Sequence, residues 1–213
     1  GIVEDLYGSP MARALFCSAD LGMHSIRTAA PKWSLGYLGT YSDDRQPTVD
    51  AFLTRPAKKL PNEKFVVAGP MYPESIRWPK NVERIVHLEP KFHRSFYNAQ
   101  SFTLNVTRAD MIRAGYSPSV RLFEAAACGT AIISDAWAGL SELFTPGEEI
   151  LIAKTTEDVL AILRDLPQSE RRAIGARARE RVLDAHTAAH RVAELETYIE
   201  ECRCPKAATS TLA

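Results

Sequence analysis

The chain has 213 residues, 46% of them hydrophobic and 24% charged, with 26 Lys and Arg against 26 Asp and Glu, the profile of a soluble globular protein. Zero net charge leaves no basic footprint for nucleic acid and no acidic tail, so an anionic ligand has to be met by a local arrangement of donors. The longest apolar stretch, around Cys128 and Gly129, falls far short of the ~20 residues of a membrane span.

Residues 1–34 read as an interdomain lead-in. Ala14-Leu15-Phe16-Cys17 has the character of a short strand, and Ala29-Ala30-Pro31-Lys32 that of a linker. Gly1 stands where a start methionine would, and no charged n-region with an apolar h-region follows, so there is no signal peptide to read and the chain has the look of a fragment. From Leu35 the pattern changes. Short apolar runs at 35–38, 65–68, 82–86, 102–104, 131–133 and 150–153 are rich in β-branched or aromatic residues and suit buried strands. Between them, apolar residues recur at helical spacing: Val49, Phe52 and Leu53; Phe92, Phe96 and Ala99; Val120, Phe123 and Ala127.

Strands alternating with helices predict an α/β fold, a Rossmann-like doubly wound parallel sheet of about six strands spanning 35–166. Helices follow in 167–202. One carries Ile174, Ala178 and Val182, another Val192, Leu195 and Ile199, and Thr155 with Asp158 opens the helix before them as a capping box. The last residues, 203–213, predict a frayed tail. Cys17 and Cys128 sit in apolar surroundings and Cys202 and Cys204 in the tail, a usage that suits reduced thiols and a cytoplasmic setting. No further His or Cys stands near Cys202-Arg203-Cys204 at ligand spacing, Asp43-Asp44 lacks the alternate-residue spacing of a cation loop, and no metal is expected. His186 and His190, four apart in the helical tail, read as surface or packing residues.

The most informative stretch is 115–135. Ser117 is a good N-cap, Pro118 suits the first helical position and Gly129 suits the closing left-handed turn. A helix that starts at the C-terminal edge of a parallel sheet offers its first backbone N–H groups, those of Ser119 and Val120, to a phosphate. Glu124 stands alone among Leu122, Phe123 and three alanines. A carboxylate in such company needs hydroxyl or amide donors, of which a ribose diol is one source; alternatively it is half exposed or pairs with Arg121, and Ser-Pro-Ser is only a cap. The loop Gly39-Thr40-Tyr41-Ser42-Asp43-Asp44-Arg45 holds the position of a phosphate loop without a known glycine spacing, and Arg45 could reach a diphosphate. Equally, Asp43 or Asp44 caps the next helix and Arg45 is solvated. Arg108 could bind phosphate or a sugar hydroxyl, or pair with Asp110. His87 ends a strand at the same edge and borders the site.

These segments together, with Gly36 to Gln46, Val66 to Pro70, Phe96 to Gln100 and Trp137 to Phe144, resemble the C-terminal lobe of a GT-B glycosyltransferase of the group 1 class, and within it the spore-maturation CgeB-like branch. In that class a pair of glutamates contacts the donor, the first at the sugar and the second at the nucleotide ribose. Glu124 falls on the second position and Tyr116 occupies the first. A first-loop Arg and Lys usually hold the diphosphate; Thr40 and Arg45 stand there. The resemblance implies a nucleoside-diphosphate sugar as donor substrate, no cofactor, an unidentified acceptor, transfer of a hexose-type sugar, and an N-terminal lobe that carries the acceptor-side catalytic groups and is missing from this chain.

Overall fold

The computed structural model describes residues 2–28 and 30–203. The elements in order are α1 (Ile2–Tyr7), β1 (Trp33–Leu38), α2 (Gln46–Val49), a π-turn (Asp50–Thr54), α3 (Arg55–Lys59), β2 (Phe65–Ala68) and β3 (Val82–Ile85). A 3₁₀ turn (Pro90–Phe92) leads into α4 (His93–Asn98), β4 (Gln100–Asn105), α5 (Ala109–Ala114), α6 (Val120–Ala127) and β5 (Ala131–Ser134). The rest is α7 (Leu140–Leu143), β6 (Leu151–Ile152), α8 (Thr156–Asp165), α9 (Gln168–Ala185) and α10 (Ala188–Arg203). The expected frayed tail beyond Arg203, with Cys204, lies outside the described residues.

All six expected strands form one sheet, every pairing is parallel, and the order is β3-β2-β1-β4-β5-β6. This is the doubly wound arrangement, in which the chain starts at the centre, builds one half outwards and then returns to build the other. Side chains alternate across the pleat. Val66, Ala68 and Ile132 face α4 and α6 through Phe96, Tyr97, Leu122 and Phe123. Phe65, Val67 and Ile133 face the opposite layer, with Val49, Phe52, Leu53 and Val159. Residues 46–59 run as one helical rod despite Pro56. The π-turn, in which the Arg55 N–H reaches back to Asp50 O, widens the helix just where the proline ring would otherwise meet a carbonyl four residues back.

Two local expectations change. Ala14 to Cys17 is not a strand: the lead-in makes only an isolated bridge, Ala19 with Thr187, because it runs beside helix α6, where no extended neighbour is available. The Cys17 thiol donates to Pro118 O at 3.6 Å, Ala19 N–H donates to His186 O, and Asn98 Nδ2 donates to Ser25 O at 3.0 Å. The strap so formed passes from the head of α6 to its foot, where Ile26 packs against Gly129. The second change is the start of α6. Its N-cap is Ser119, in extended conformation, whose Oγ accepts from Arg121 N–H, so Ser117 and Pro118 precede the helix. Pro118 O is spent on the Cys17 thiol, and the first turn closes from Leu122 N–H to Ser119 O.

The far end of α6 is as expected. Gly129 takes φ +69, and the N–H groups of Gly129 and Thr130 return to the carbonyls of Ala126 and Ala125, the Schellman closure that only a residue free of a Cβ makes without strain. Thr155 and Asp158 form the expected capping box on α8. His186 is a packing residue: its ring lies 5.2 Å from Phe123, and burial, with Arg191 beside it, pushes its pKa down to about 4. Among the described residues no helix is long and apolar enough to cross a membrane.

Candidate functional site

The strand order reverses between β1 and β4, and crevices at such reversals, outside the carboxyl ends of the strands, are where open α/β sheets take ligands. Beneath this crevice the structure is latched by one guanidinium. Arg121, 7% exposed, donates from Nε to Leu38 O at 2.6 Å and from Nη1 to Asn105 Oδ1 at 2.8 Å, with its plane over the Tyr37 ring. Asn105 passes the connection on by donating to Ser134 Oγ. Asp135 closes it, accepting from the Thr107 N–H and hydroxyl, each at 2.8 Å; burial pushes its carboxyl pKa up. Gly39 follows β1 where a Cβ would sit 2.6 Å from Tyr37 Oη and 3.0 Å from Arg121 Nη2, so the close approach requires glycine.

The loop after β1 satisfies itself. Arg45 folds back on Thr40 O and on Ser42 Oγ. Asp44 accepts from the backbone N–H of Ala109 at 2.8 Å, which makes it a cap for α5 and not for the helix that follows the loop. Asp43 accepts from the Tyr41 hydroxyl. Neither carboxylate pairs with a second acid as a cation loop would require. Thr40 is exposed at the loop tip.

The N-terminus of α6 opens on the same edge of the sheet. Ser119 and Val120 precede the first intrahelical hydrogen bond, so their N–H groups are available to an anion. Tyr116 stands just before, exposed, in left-handed conformation at φ +51. Its N–H is held by Ala138 O at 2.8 Å, and its ring lies on Gly139 so closely that a Cβ there would collide with it. Ser117 lies between this turn and the cap. Arg108 is the exposed N-cap of α5 and leaves Asp110 to Arg113; with Arg45 it helps hold Asp44 ionised, after the Ser42 and Ala109 hydrogen bonds to that carboxylate. His87 is exposed beyond the end of β3.

Glu124 lies in a pocket between α6, α4 and the strap. Its side chain is 14% exposed and does not meet Arg121. The Tyr97 hydroxyl donates to Oε2 at 2.9 Å, His93 Nδ1 is 3.6 Å from Oε2 and His24 Nε2 is 3.7 Å from Oε1. Burial pushes the carboxyl pKa up, but the close approach of His93, the field of the His24 ring and the Tyr97 hydrogen bond together hold it below the usual carboxylate range. The same contact with Glu124 raises the pKa of His93 against its burial. His24 is 5% exposed and neither of its ring nitrogens has a hydrogen-bond partner.

The expected hydroxyl donor to Glu124 is thus supplied by the protein itself. His93 and Tyr97 lie one turn apart on α4, which the register of Phe92, Phe96 and Ala99 would have placed on a shared face. His24 had no sequence signal, because nothing in the lead-in's composition announces where it folds.

The sequence profile of the glycosyl transferase-like family matches residues 45–197. No curated protein matches the chain. Among solved structures, sucrose-phosphate synthase from Thermosynechococcus elongatus is similar with a TM-score of 0.72 at 14% identity, covering 96% of this chain and 56% of its own. The C-terminal domain of a group 1 glycosyltransferase, LpcC, from Francisella tularensis is similar with a TM-score of 0.63 at 16% identity, covering 80% of this chain and 99% of that domain. Anabaena HepE, solved with UDP-glucose, gives a TM-score of 0.66 at 11% identity and covers 79% of this chain and 49% of its own. The chain therefore spans little more than half of sucrose-phosphate synthase and nearly all of an isolated C-terminal domain. It belongs to the glycosyl transferase-like family and has the fold of the C-terminal, Rossmann-like lobe of the GT-B group 1 enzymes.

Proposed function

We propose that this lobe binds the nucleoside-diphosphate sugar of a glycosyltransferase reaction, with the acceptor held by a second lobe. The observation that carries the reading is Glu124: an ionised, mostly buried carboxylate at the switch-point edge of the sheet, with one face left to solvent. The ribose diol would donate to it beside Tyr97 and His93. The N–H groups of Ser119 and Val120 would take the diphosphate, where charge develops as the sugar leaves. Arg45 would reach the same place by exchanging Thr40 O for a phosphate oxygen, and the exposed Arg108, beside Asp44, would join it from the rim. HepE, a neighbour in fold, was solved with UDP-glucose, which supports a nucleotide sugar as the ligand class.

The finer parts of the reading are a hexose-type sugar, a metal-independent donor site, a cytoplasmic setting and a place in the CgeB-like branch. The cytoplasmic setting rests on the reduced-thiol usage of the cysteines, and the others rest on the motif resemblance at 115–135. Gly39, Thr40 and His87 frame the crevice in this reading. Calorimetric titration with UDP, GDP and ADP, with and without Mg²⁺, tests it. One nucleotide should bind without metal, and Glu124→Ala should weaken it by about 1–3 kcal/mol through loss of charge-assisted hydrogen bonds. Unchanged affinity in a folded variant would remove Glu124 from the site.

Tyr116 favours a second reading. Where the class places an acidic residue toward the sugar, this chain has an exposed ring in a strained backbone, which suits a lobe that kept nucleotide binding and lost transfer. Nucleotide binding without turnover in the full-length protein would select it.

A further inference from the structure

The pocket around Glu124 contains more nitrogen than a ribose needs. His24 is buried with both ring nitrogens unpartnered, an arrangement that costs free energy unless something else satisfies them. Its Nε2 is 3.7 Å from one Glu124 oxygen, His93 Nδ1 is 3.6 Å from the other, and one ligand atom from each of the three residues fits within a 4.8 Å span. Metal to ligand distances of about 2.0–2.2 Å at tetrahedral angles separate neighbouring ligand atoms by about 3.3–3.6 Å. The two nitrogen–oxygen approaches need only a few tenths of an ångström of closure, and the other spacings, all within the 4.8 Å span, close by at most about 1.5 Å through side-chain rotation. Tyr97 Oη, donating to Glu124 at 2.9 Å, holds the carboxylate as partners outside a metal site commonly do. The three ligands come from three separate parts of the chain: the strap, the start of α4 and the middle of α6.

We propose that His24, His93 and Glu124 form a binding site for a borderline divalent transition metal of the zinc type, with a fourth position left to water. Two imidazoles and one carboxylate suit Zn²⁺ or Co²⁺ and not Mg²⁺, which prefers an all-oxygen octahedron. Because Glu124 is shared, the ion and the nucleotide compete, and metal occupancy is an off state of the donor site. The competition rests on the donor-binding reading above; the metal site itself does not.

The test is calorimetric titration of the whole chain with Zn²⁺ in a non-chelating buffer, paralleled by Co²⁺ titration read in visible absorption, where a tetrahedral site gives intense bands. One ion per chain is expected. His24→Ala and His93→Gln should each weaken it at least about tenfold, since even residues that merely orient a ligand are worth about 10–100-fold. Circular dichroism checks each variant's fold, and His93, at a helix start, serves if the buried His24 variant does not fold. No saturable ion, Co²⁺ spectra of an octahedral aquo ion, or binding that survives both substitutions would overturn the site. UDP is then titrated into metal-free and Zn²⁺-loaded protein. Weaker UDP binding in the loaded form supports competition, and equal binding overturns it. UDP failing to bind metal-free protein would end the donor reading while leaving the Zn²⁺ result to stand alone.

Discussion

Two charged residues one turn apart on α6, Arg121 and Glu124, lie in regions built on opposite plans. Around Arg121 the seam between β1, β4 and β5 commits its groups to fixed partners: Leu38 O, Asn105, Ser134, Thr107 and Asp135 account for one another through short hydrogen bonds. Around Glu124 only Tyr97 makes a short hydrogen bond, the two imidazole contacts are longer, one face stays open, and an entire imidazole is left without hydrogen bonds. A region whose charged and amide groups are answered by one another, with the Tyr37 hydroxyl the exception, serves the fold. A region with donors to spare, at the same sheet edge, is where a ligand finds work to do. The difference also separates Arg121 from Glu124, with which it was an alternative partner: its Nε and Nη1 are already spent on Leu38 O and Asn105.

The sharpest way to break the contrast is Arg121→Ala. It leaves Leu38 O and Asn105 Oδ1 without their donor beneath the crevice, and should cost about 2–4 kcal/mol in chemical denaturation, with nucleotide binding lost alongside. A variant of native stability that still bound nucleotide would show that the seam is not what holds the site. Gly129→Ala comes next. A Cβ at φ +69, 3.2 Å from Ile26, should cost about 1–2 kcal/mol from left-handed strain alone, measured the same way, and loosen the strap that carries His24. The smallest effect is His93→Gln, which addresses the pocket through pH. The folded pKa of His93 is raised, so its contribution to stability is full below its unfolded value of about 6.5 and fades as pH climbs through the folded value. That of Glu124 is lowered, so its contribution is full above the unfolded carboxylate value and fades on acidification. Stability of the wild type relative to His93→Gln should therefore be greatest between the two and shrink above neutrality. A difference that stayed constant from pH 6 to 9 would mean that the imidazole makes no charge contact with Glu124.

Much of the architecture was legible in advance. Six apolar runs became six strands, because a sheet covered on both faces demands continuous apolar segments, and Gly129 and the Thr155 box ended and began helices for local reasons that sequence carries. The site was legible in part. Glu124 stood out because a lone acid among alanines must find donors, and Ser119 and Val120 because helix starts are anion sites. The start of α6 was misplaced by two residues: of the two serines that could cap it Ser119 does so, and Pro118 O is turned to Cys17, far away in sequence. His24 and the real employment of Asp44 depend on the same kind of distant contact, and no local pattern encodes those.

The strand order has a kinetic side. Trp33 of β1 pairs with Gln100 of β4, so the seam that floors the crevice closes a longer loop than the pairing of β1 with β2 and costs more chain entropy to form, which slows folding. The edges are different: β6 is two half-buried residues with a single neighbour. Fluctuations of the native state should open that margin first and leave the central floor shut. In amide exchange the crevice floor would be among the last parts of the molecule to yield, and a ligand seated there would rest on the most durable part of the fold.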